Sequence, residues 1–226
     1  MSLAYYIIIR EIIVENAYFR RYYKMIDRSL PFFPITLCKT DTNEYPRYTL
    51  PQGYTFDFYK KGDEEAWAKL ECELGQFDCV ENGVKHFWKT FFDDSNLRLE
   101  DRMLFVRDPQ GEAVATATLW DGMFLGKREQ RLHWIAVSDR CVGKGIAKAL
   151  ISRLLDMYRE LGYEGFIYLL TATWYYPAIN IYKKFGFVEY EGSTSLVDGM
   201  DDEKFVEENQ KAIAIVREKL AEYSKK

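Results

Sequence analysis

The sequence predicts an α/β (α+β) protein in which strands and amphipathic helices interleave. Three observations carry this prediction. Short runs alternate apolar and polar residues, the first placing Tyr54, Phe56 and Phe58 against Thr55, Asp57 and Tyr59. Other stretches hold apolar residues at helical spacing, as Ile146, Leu150, Ile151, Leu154, Leu155, Tyr158 and Leu161 do. Between these patterns, residues 132–150 join a run of β-formers to a two-glycine loop that opens directly into a helix.

Taken in order, the strand at Tyr54 is followed by a helix that Asp63 can cap, with Glu64 and Glu65 in its first turn and Ala66, Trp67 and Leu70 on its buried face. A second helix is expected from Val80 to Phe92. Met103 to Val106 and Ala113 to Leu119 form a hairpin across Asp108-Pro109-Gln110-Gly111, a type I turn by its Pro and Gly positions. A strand near Arg131 to Val137 leads to the amphipathic helix, which Gly162 ends, and Phe166 to Thr171 reads as a buried strand. Pro177 suits the first turn of the next helix and Gly186 its C-cap, after which Phe187 to Tyr190 forms the last core strand. Residues 201–223 add an amphipathic helix carrying Phe205, Val206, Ile213, Val216 and Leu220. Residues 31–53, with four prolines, read as an extended lead-in. Tyr5 to Ile26 fits strand or helix equally, as a cover for the domain or an oligomer contact, which leaves a homodimer open. The expected division is an extension over 1–50 packing on or beside the domain, a main domain over 51–192 and a helical extension over 193–226.

Composition narrows the function. A chain of 226 residues can bury a substantial core, and a net charge of −4 with no dense Lys/Arg stripe argues against nucleic-acid binding. Cys38, Cys72, Cys79 and Cys141 show no metal-ligand spacing and no disulfide density, so no metal and a reducing, cytoplasmic setting are expected. Leu3 to Ile9 is apolar, but Arg10 and Glu11 interrupt it before a membrane-spanning length, and no membrane partner is expected.

The chemistry concentrates at the glycine loop. A helix start presents free backbone N–H groups and the positive end of its dipole, which suits a phosphate. Gly143 and Gly145 allow close approach of that anion. The Walker pattern fails because Gly145 stands where Ser or Thr is needed, and the dinucleotide fingerprint fails because Lys148 replaces its third glycine. A ligand-free strand-to-helix turn remains the alternative for the loop by itself.

The loop resembles the acetyl-CoA loop of the GCN5-related N-acetyltransferase (GNAT) superfamily, a strand ending in Ala-Val, a short turn, then Gln/Arg-x-x-Gly-x-Gly/Ala. Ala136-Val137 closes the strand, and Val142, Gly143, Lys144, Gly145, Ile146 and Ala147 form the loop, with Val142 at the Gln/Arg position. Arg140 or main chain then replaces the missing contact. A second stretch, from Tyr176 to Phe187, is similar to the superfamily's Ala-x-x-Leu-Tyr-x-Lys-x-Gly-Phe, with Ala178, Tyr182, Lys184, Gly186 and Phe187 in place and Ile181 for Leu. Together the motifs make the resemblance cover residues 50–191.

The resemblance implies the acyl-CoA N-acyltransferase fold: a mixed, mostly antiparallel sheet with helices on both faces and a V-shaped opening between the fourth and fifth core strands. Acetyl-CoA would be the cosubstrate, its pantetheine arm lying in that opening against the backbone of Ile135 and Val137. It further implies that Tyr182 is the acid for the leaving thiolate, against the alternative of a packed helix tyrosine. His133 is the candidate base, since strand alternation puts it on the face of Ile135 and Val137 and a similar histidine serves arylalkylamine acetyltransferases; a core histidine is the alternative. Glu73, Asp78 and Asp121 are weaker base candidates, and His86 a surface or substrate-rim residue. Trp67, Glu71, Phe77, Asp78, Phe87, Trp88 and Trp174 could line an acceptor pocket or belong to the core and solvated helix faces. The expected activity is direct acetyl transfer to a primary amine on a small molecule or peptide; the alternative is a non-catalytic acyl-CoA-binding sensor or interaction protein.

Overall fold

A computed structural model describes residues 26–92, 97–195 and 200–223. The expectation for Tyr5 to Ile26 falls, Ile26 apart, outside them. The described elements are β1 (Pro34–Lys39), β2 (Thr55–Phe58), α1 (Glu64–Glu73), α2 (Val80–Phe92), β3 (Met103–Arg107), β4 (Ala113–Phe124), β5 (Lys127–Val137), α3 (Ile146–Glu160), β6 (Ile167–Ala172), α4 (Tyr176–Lys184), β7 (Val188–Glu189) and α5 (Asp202–Tyr223). The strands form one mixed sheet in the order β2-β3-β4-β5-β6-β1-β7. β2 to β5 pair antiparallel in sequence, and β5 pairs parallel with β6.

Strand alternation gives this sheet two buried faces. Met103 and Phe105 share one face with their register partners Thr118 and Thr116, and with Trp120. This face meets α1 and α2 through Trp67, Phe87 and Phe91, all essentially without solvent exposure. The intervening residues Leu104, Val106, Ala115, Ala117 and Leu119 are equally buried and point the other way, where α3 packs on β3, β4 and β5. A sheet with one face open to solvent would not need both stripes.

The chain divides into two compact units. Among the described residues, one comprises 37–92, 97–170 and 185–188; the other comprises 26–36, 171–184, 189–195 and 200–223. Within the second, Trp174 organises the chain: its ring nitrogen donates to Leu30 O at 2.7 Å, its carbonyl accepts from Asp27 N at 2.9 Å, and Phe32 meets its ring edge-on. There α4 carries Tyr182, and Asn209 of α5 donates to Tyr190 O at 2.7 Å. No helix among the described residues is long and apolar enough to cross a membrane.

Two local expectations change. The lead-in contains β1, because Ile35, Leu37 and Cys38 are buried and Pro34 sits at the strand's first position, where a missing N–H is tolerated. The remainder of the lead-in straps α3: Tyr45 donates to Asp156 at 2.6 Å, Tyr48 N to Ser152 Oγ at 2.9 Å, and Ser152 Oγ to Pro46 O at 3.2 Å. Asp63 precedes α1 without capping it. Its carboxylate accepts instead from Lys60 N at 2.9 Å and pairs with Arg107 at 2.8 Å, so the turn and an ion pair take the oxygens that a cap needs.

Candidate active site

The site is built on the separation of β5 from β6. Their ladder runs through Gln130↔Ile167, Arg131↔Tyr168 and Leu132↔Leu169, then stops, although β5 continues to Val137. Leu170, one residue past the last pair, is 45% exposed, unlike the buried Ile167, Tyr168 and Leu169 before it. Ser138 N donates to Val114 O at 2.8 Å, toward β4. Backbone alternation therefore turns the N–H and C=O groups of Val137 to the edge that β6 has left, with Ile135 two residues before it. An edge of this kind accepts an extended, amide-bearing ligand as though it were a strand.

A bulge lies at the same level. Thr118 is opposite His133 and Thr116 is opposite Ala136, so two residues of β5 face Ala117 alone. Trp134 takes up the extra length in the left-handed region, with φ of 47°. Such a conformation is rare for a bulky residue and is sustained here by ring contacts at 5.0 Å to Trp67, 5.4 Å to His86 and 6.0 Å to Phe77. The bulge reverses strand parity. His133 shares its face with Ala136 rather than with Val137, and the simple alternation argument for its orientation does not hold.

His133 instead faces α2, with Phe91 at 6.0 Å between ring centroids, and its Nε2 lies 3.4 Å from Arg131 Nη2. Burial pushes its pKa well below the usual histidine value, and the Arg131 and His86 charges push the same way. The imidazole is thus neutral at pH 7, with a free-base nitrogen beside a guanidinium.

Beyond Val137 the chain makes a short 3-10 turn over Asp139–Cys141 and enters the glycine loop. Glu73, at the end of α1, accepts from Ser138 Oγ at 2.8 Å and from Asp139 N at 2.7 Å. These bonds occupy Glu73 as an anchor for the loop. Gly143 and Gly145 both have φ of 83°, and Gly145 is the N-cap of α3 with no side-chain cap bond. Nothing lies within 4 Å of where a Cβ would project at either glycine. The first amides of α3, from Ile146 and Ala147, have no intrahelical acceptor, so the loop offers main-chain donors and open space together. Lys144 donates to Tyr54 Oη at 3.0 Å, and Lys148 lies 5.1 Å over the Tyr48 ring. Arg140 is exposed and pairs with Asp108 at 3.3 Å, while Val142 offers no charge. The residues present therefore fit a phosphate-bearing, extended coenzyme.

The remaining candidates separate. Trp67 and Phe87 are core residues, whereas Phe77 and His86 pack with Trp134 at 6.0 and 5.4 Å. Asp78 is tied to Asn82 at 2.8 Å, and Asp121 pairs with Arg128. Glu71 is almost wholly buried, its Oε1 has no hydrogen-bond partner, and burial pushes its pKa up to about 8. Tyr182 and Trp174 belong to the second unit; Tyr182 is buried, which raises its pKa and keeps the hydroxyl protonated throughout the neutral range. Sequence reasoning missed the anchor at Glu73, the bulge at Trp134 and the position of Arg131. No glycine marks the bulge, and nothing in the local pattern signals the other two.

The model of the acetyltransferase (GNAT) family matches residues 45–187. N-acetyltransferase family 8 member 2 of Rattus norvegicus is 37% identical over 62 residues, which is 27% of this chain and 27% of that protein. A GCN5-related N-acetyltransferase from Sphaerobacter thermophilus aligns with a TM-score of 0.54 at 20% identity, covering 71% of this chain and 50% of that one. An acetyltransferase of the GNAT family from Colwellia psychrerythraea aligns with a TM-score of 0.52 at 13% identity, covering 71% and 54%. At these identities the solved structures share the fold. The chain spans about half the length of each solved relative and about a quarter of the rat protein's.

Proposed function

The chain belongs to the acetyltransferase (GNAT) family, and from that premise we propose that it is an acetyl-CoA-dependent N-acetyltransferase acting by direct transfer to a primary amine. One observation carries the reading: the β5–β6 ladder ends at Leu132↔Leu169 while β5 runs on for five residues toward a glycine loop with open donors. The loop at Gly143, Lys144 and Gly145 and the first amides of α3, from Ile146 and Ala147, would bind the pyrophosphate, and Ile135 and Val137 would pair with the pantetheine amides. Bound acetyl-CoA supplies an acetyl group activated as a thioester. The Ile135 N–H would serve as the donor to the carbonyl oxygen, and a preorganised donor there is worth about 3 kcal/mol in a transition state.

The chain's own residues then manage protons. An ammonium has no lone pair, so the acceptor must lose a proton, and the neutral imidazole of His133 is in the form that takes one. The adjacent Arg131 charge makes His133 a weak base, suited to passing a proton on to water. Tyr182 takes the donor role that the family resemblance implies. Burial raises its pKa and keeps the hydroxyl protonated, the form that a donor to the leaving thiolate needs. The acceptor is a small molecule or peptide amine, and the setting cytoplasmic.

Calorimetry with acetyl-CoA, set against free adenine nucleotides, tests the seam. Acetyl-CoA should bind more tightly, since only it fills the open strand edge; equal affinity would remove the assignment. Thiol release with an amine panel tests transfer, and binding without release would favour the sensor.

A further inference from the structure

Arg131 is a charged side chain whose surroundings do not account for it. It lies on the face of the sheet that carries Trp120 and His133, one pair before β5 and β6 part. Burial pulls its pKa down. Its Nε is shielded from solvent and has no hydrogen-bond acceptor. Its other contacts are neutral: the His133 imidazole at 3.4 Å, and the hydroxyl of Tyr168, its register partner on β6. Asp121 is the carboxylate that bears on it, and that carboxylate is already bonded to Arg128. Among the described residues, no carboxylate forms an ion pair with Arg131.

The deficit extends beyond one atom. Thr118 Oγ1, on the residue opposite His133, and Trp134 Nε1, at the bulge, are also buried without a hydrogen-bond partner. Three groups able to donate thus lie along one stretch of β4 and β5 without a hydrogen-bond partner. Gly122 keeps this arrangement open: a Cβ there would lie 2.4 Å from Tyr168 Oη and 3.0 Å from Arg131 Nε. A part-buried guanidinium with no ion-pair partner and one shielded, unused N–H is costly as a purely structural element. A planar donor fork with an unused N–H matches a carboxylate.

We propose that Arg131 binds a carboxylate on the acceptor, and that the acceptor is an amino acid whose amine and carboxylate are one or two carbons apart. This rests on the transferase reading above. The spacing follows from the contact between Arg131 and His133. Because the guanidinium and imidazole touch, an acceptor held by the first presents its amine to the second only when its two functional groups are close together.

The test follows thiol release from acetyl-CoA with α- and β-amino acids, their amides and the corresponding decarboxylated amines, with acetyl-CoA binding measured in parallel by calorimetry. Wild-type protein should prefer a carboxylate-bearing acceptor by about a hundredfold in kcat/KM. Arg131→Gln should bring that preference close to unity, chiefly by raising KM for the amino acid, and Arg131→Lys should retain part of it. An equal loss on acids and amides, leaving the ratio intact, would make Arg131 structural and overturn the proposal. Amides or decarboxylated amines used as well as amino acids by the wild type would overturn it without any variant, as would bound acetyl-CoA with no acceptor used. Failure to bind acetyl-CoA would instead end the transferase reading, and this proposal with it.

Discussion

Replacing Glu71 by glutamine should stabilise the protein at neutral pH and leave it unchanged in acid. Glu71 lies in α1 one turn after Trp67, 3% exposed, with an oxygen that has no partner. Burial raises its pKa from 4.5 to about 8. A carboxyl raised on folding contributes no penalty below its unfolded value. Above that value the unfolded chain releases the proton while the folded chain retains it, so stability falls as pH climbs from 4.5 toward 8. By pH 7 the difference amounts to about 3 kcal/mol at 1.36 kcal/mol per unit. In a chain of this size that corresponds to roughly 6–12 °C in Tm. Urea unfolding of wild type and Glu71→Gln at about pH 5 and pH 8 isolates the effect, because every other titrating group is common to both proteins. The variant should gain about 3 kcal/mol more at the higher pH than at the lower. A stability difference independent of pH would show that Glu71 ionises freely and that its burial argument is wrong.

Gly145→Ala should cost about 1 kcal/mol in unfolding free energy through backbone strain alone, since its φ is 83° and no atom crowds the site, and it should weaken acetyl-CoA binding by calorimetry. Unaltered stability and affinity would mean that the loop tolerates another conformation. Tyr182→Phe should lower kcat by about a hundredfold while leaving the acetyl-CoA Kd within about twofold; unchanged turnover would remove its donor role. Because burial and Arg131 hold His133 well below its ordinary pKa, its neutral form persists through pH 6, so kcat/KM should show no acid limb near 6.5 that depends on it. A limb there that disappears in His133→Gln would refute this.

Much of the scaffold is legible in the sequence because local rules and packing agree there. Val80–Phe92 matches the expected helix, and Gly162 and Gly186 follow α3 and α4 with φ of 82° and 84°, as C-terminal glycines do. The conformation of the glycine loop is legible because positive φ favours glycine, as at Gly143 and Gly145. Legibility ends where tertiary contacts override local preference. Trp134 carries no signal for a left-handed conformation, and only its ring contacts with Trp67, Phe77 and His86 hold it there. The prolines that mark residues 31–53 as irregular conceal β1, whose strand character comes from burial of Ile35, Leu37 and Cys38. Likewise Leu125 and Gly126 form the turn between β4 and β5 with φ of 49° and 77°, where a leucine gives no turn cue. Arg131 reads in sequence as an ordinary charged strand residue, because a missing counter-charge is visible only in three dimensions.

The extra residue at Trp134 gives β5 two reading frames. Upstream, odd-numbered positions such as Arg131 and His133 look toward α2; downstream, the even-numbered Ala136 does. Inserting or deleting one residue between His133 and Val137 would therefore exchange inside for outside across the junction. Segment length is consequently as strict a requirement here as residue identity, and homologous chains that share the chemistry should differ in side chains along this stretch far more readily than in its count.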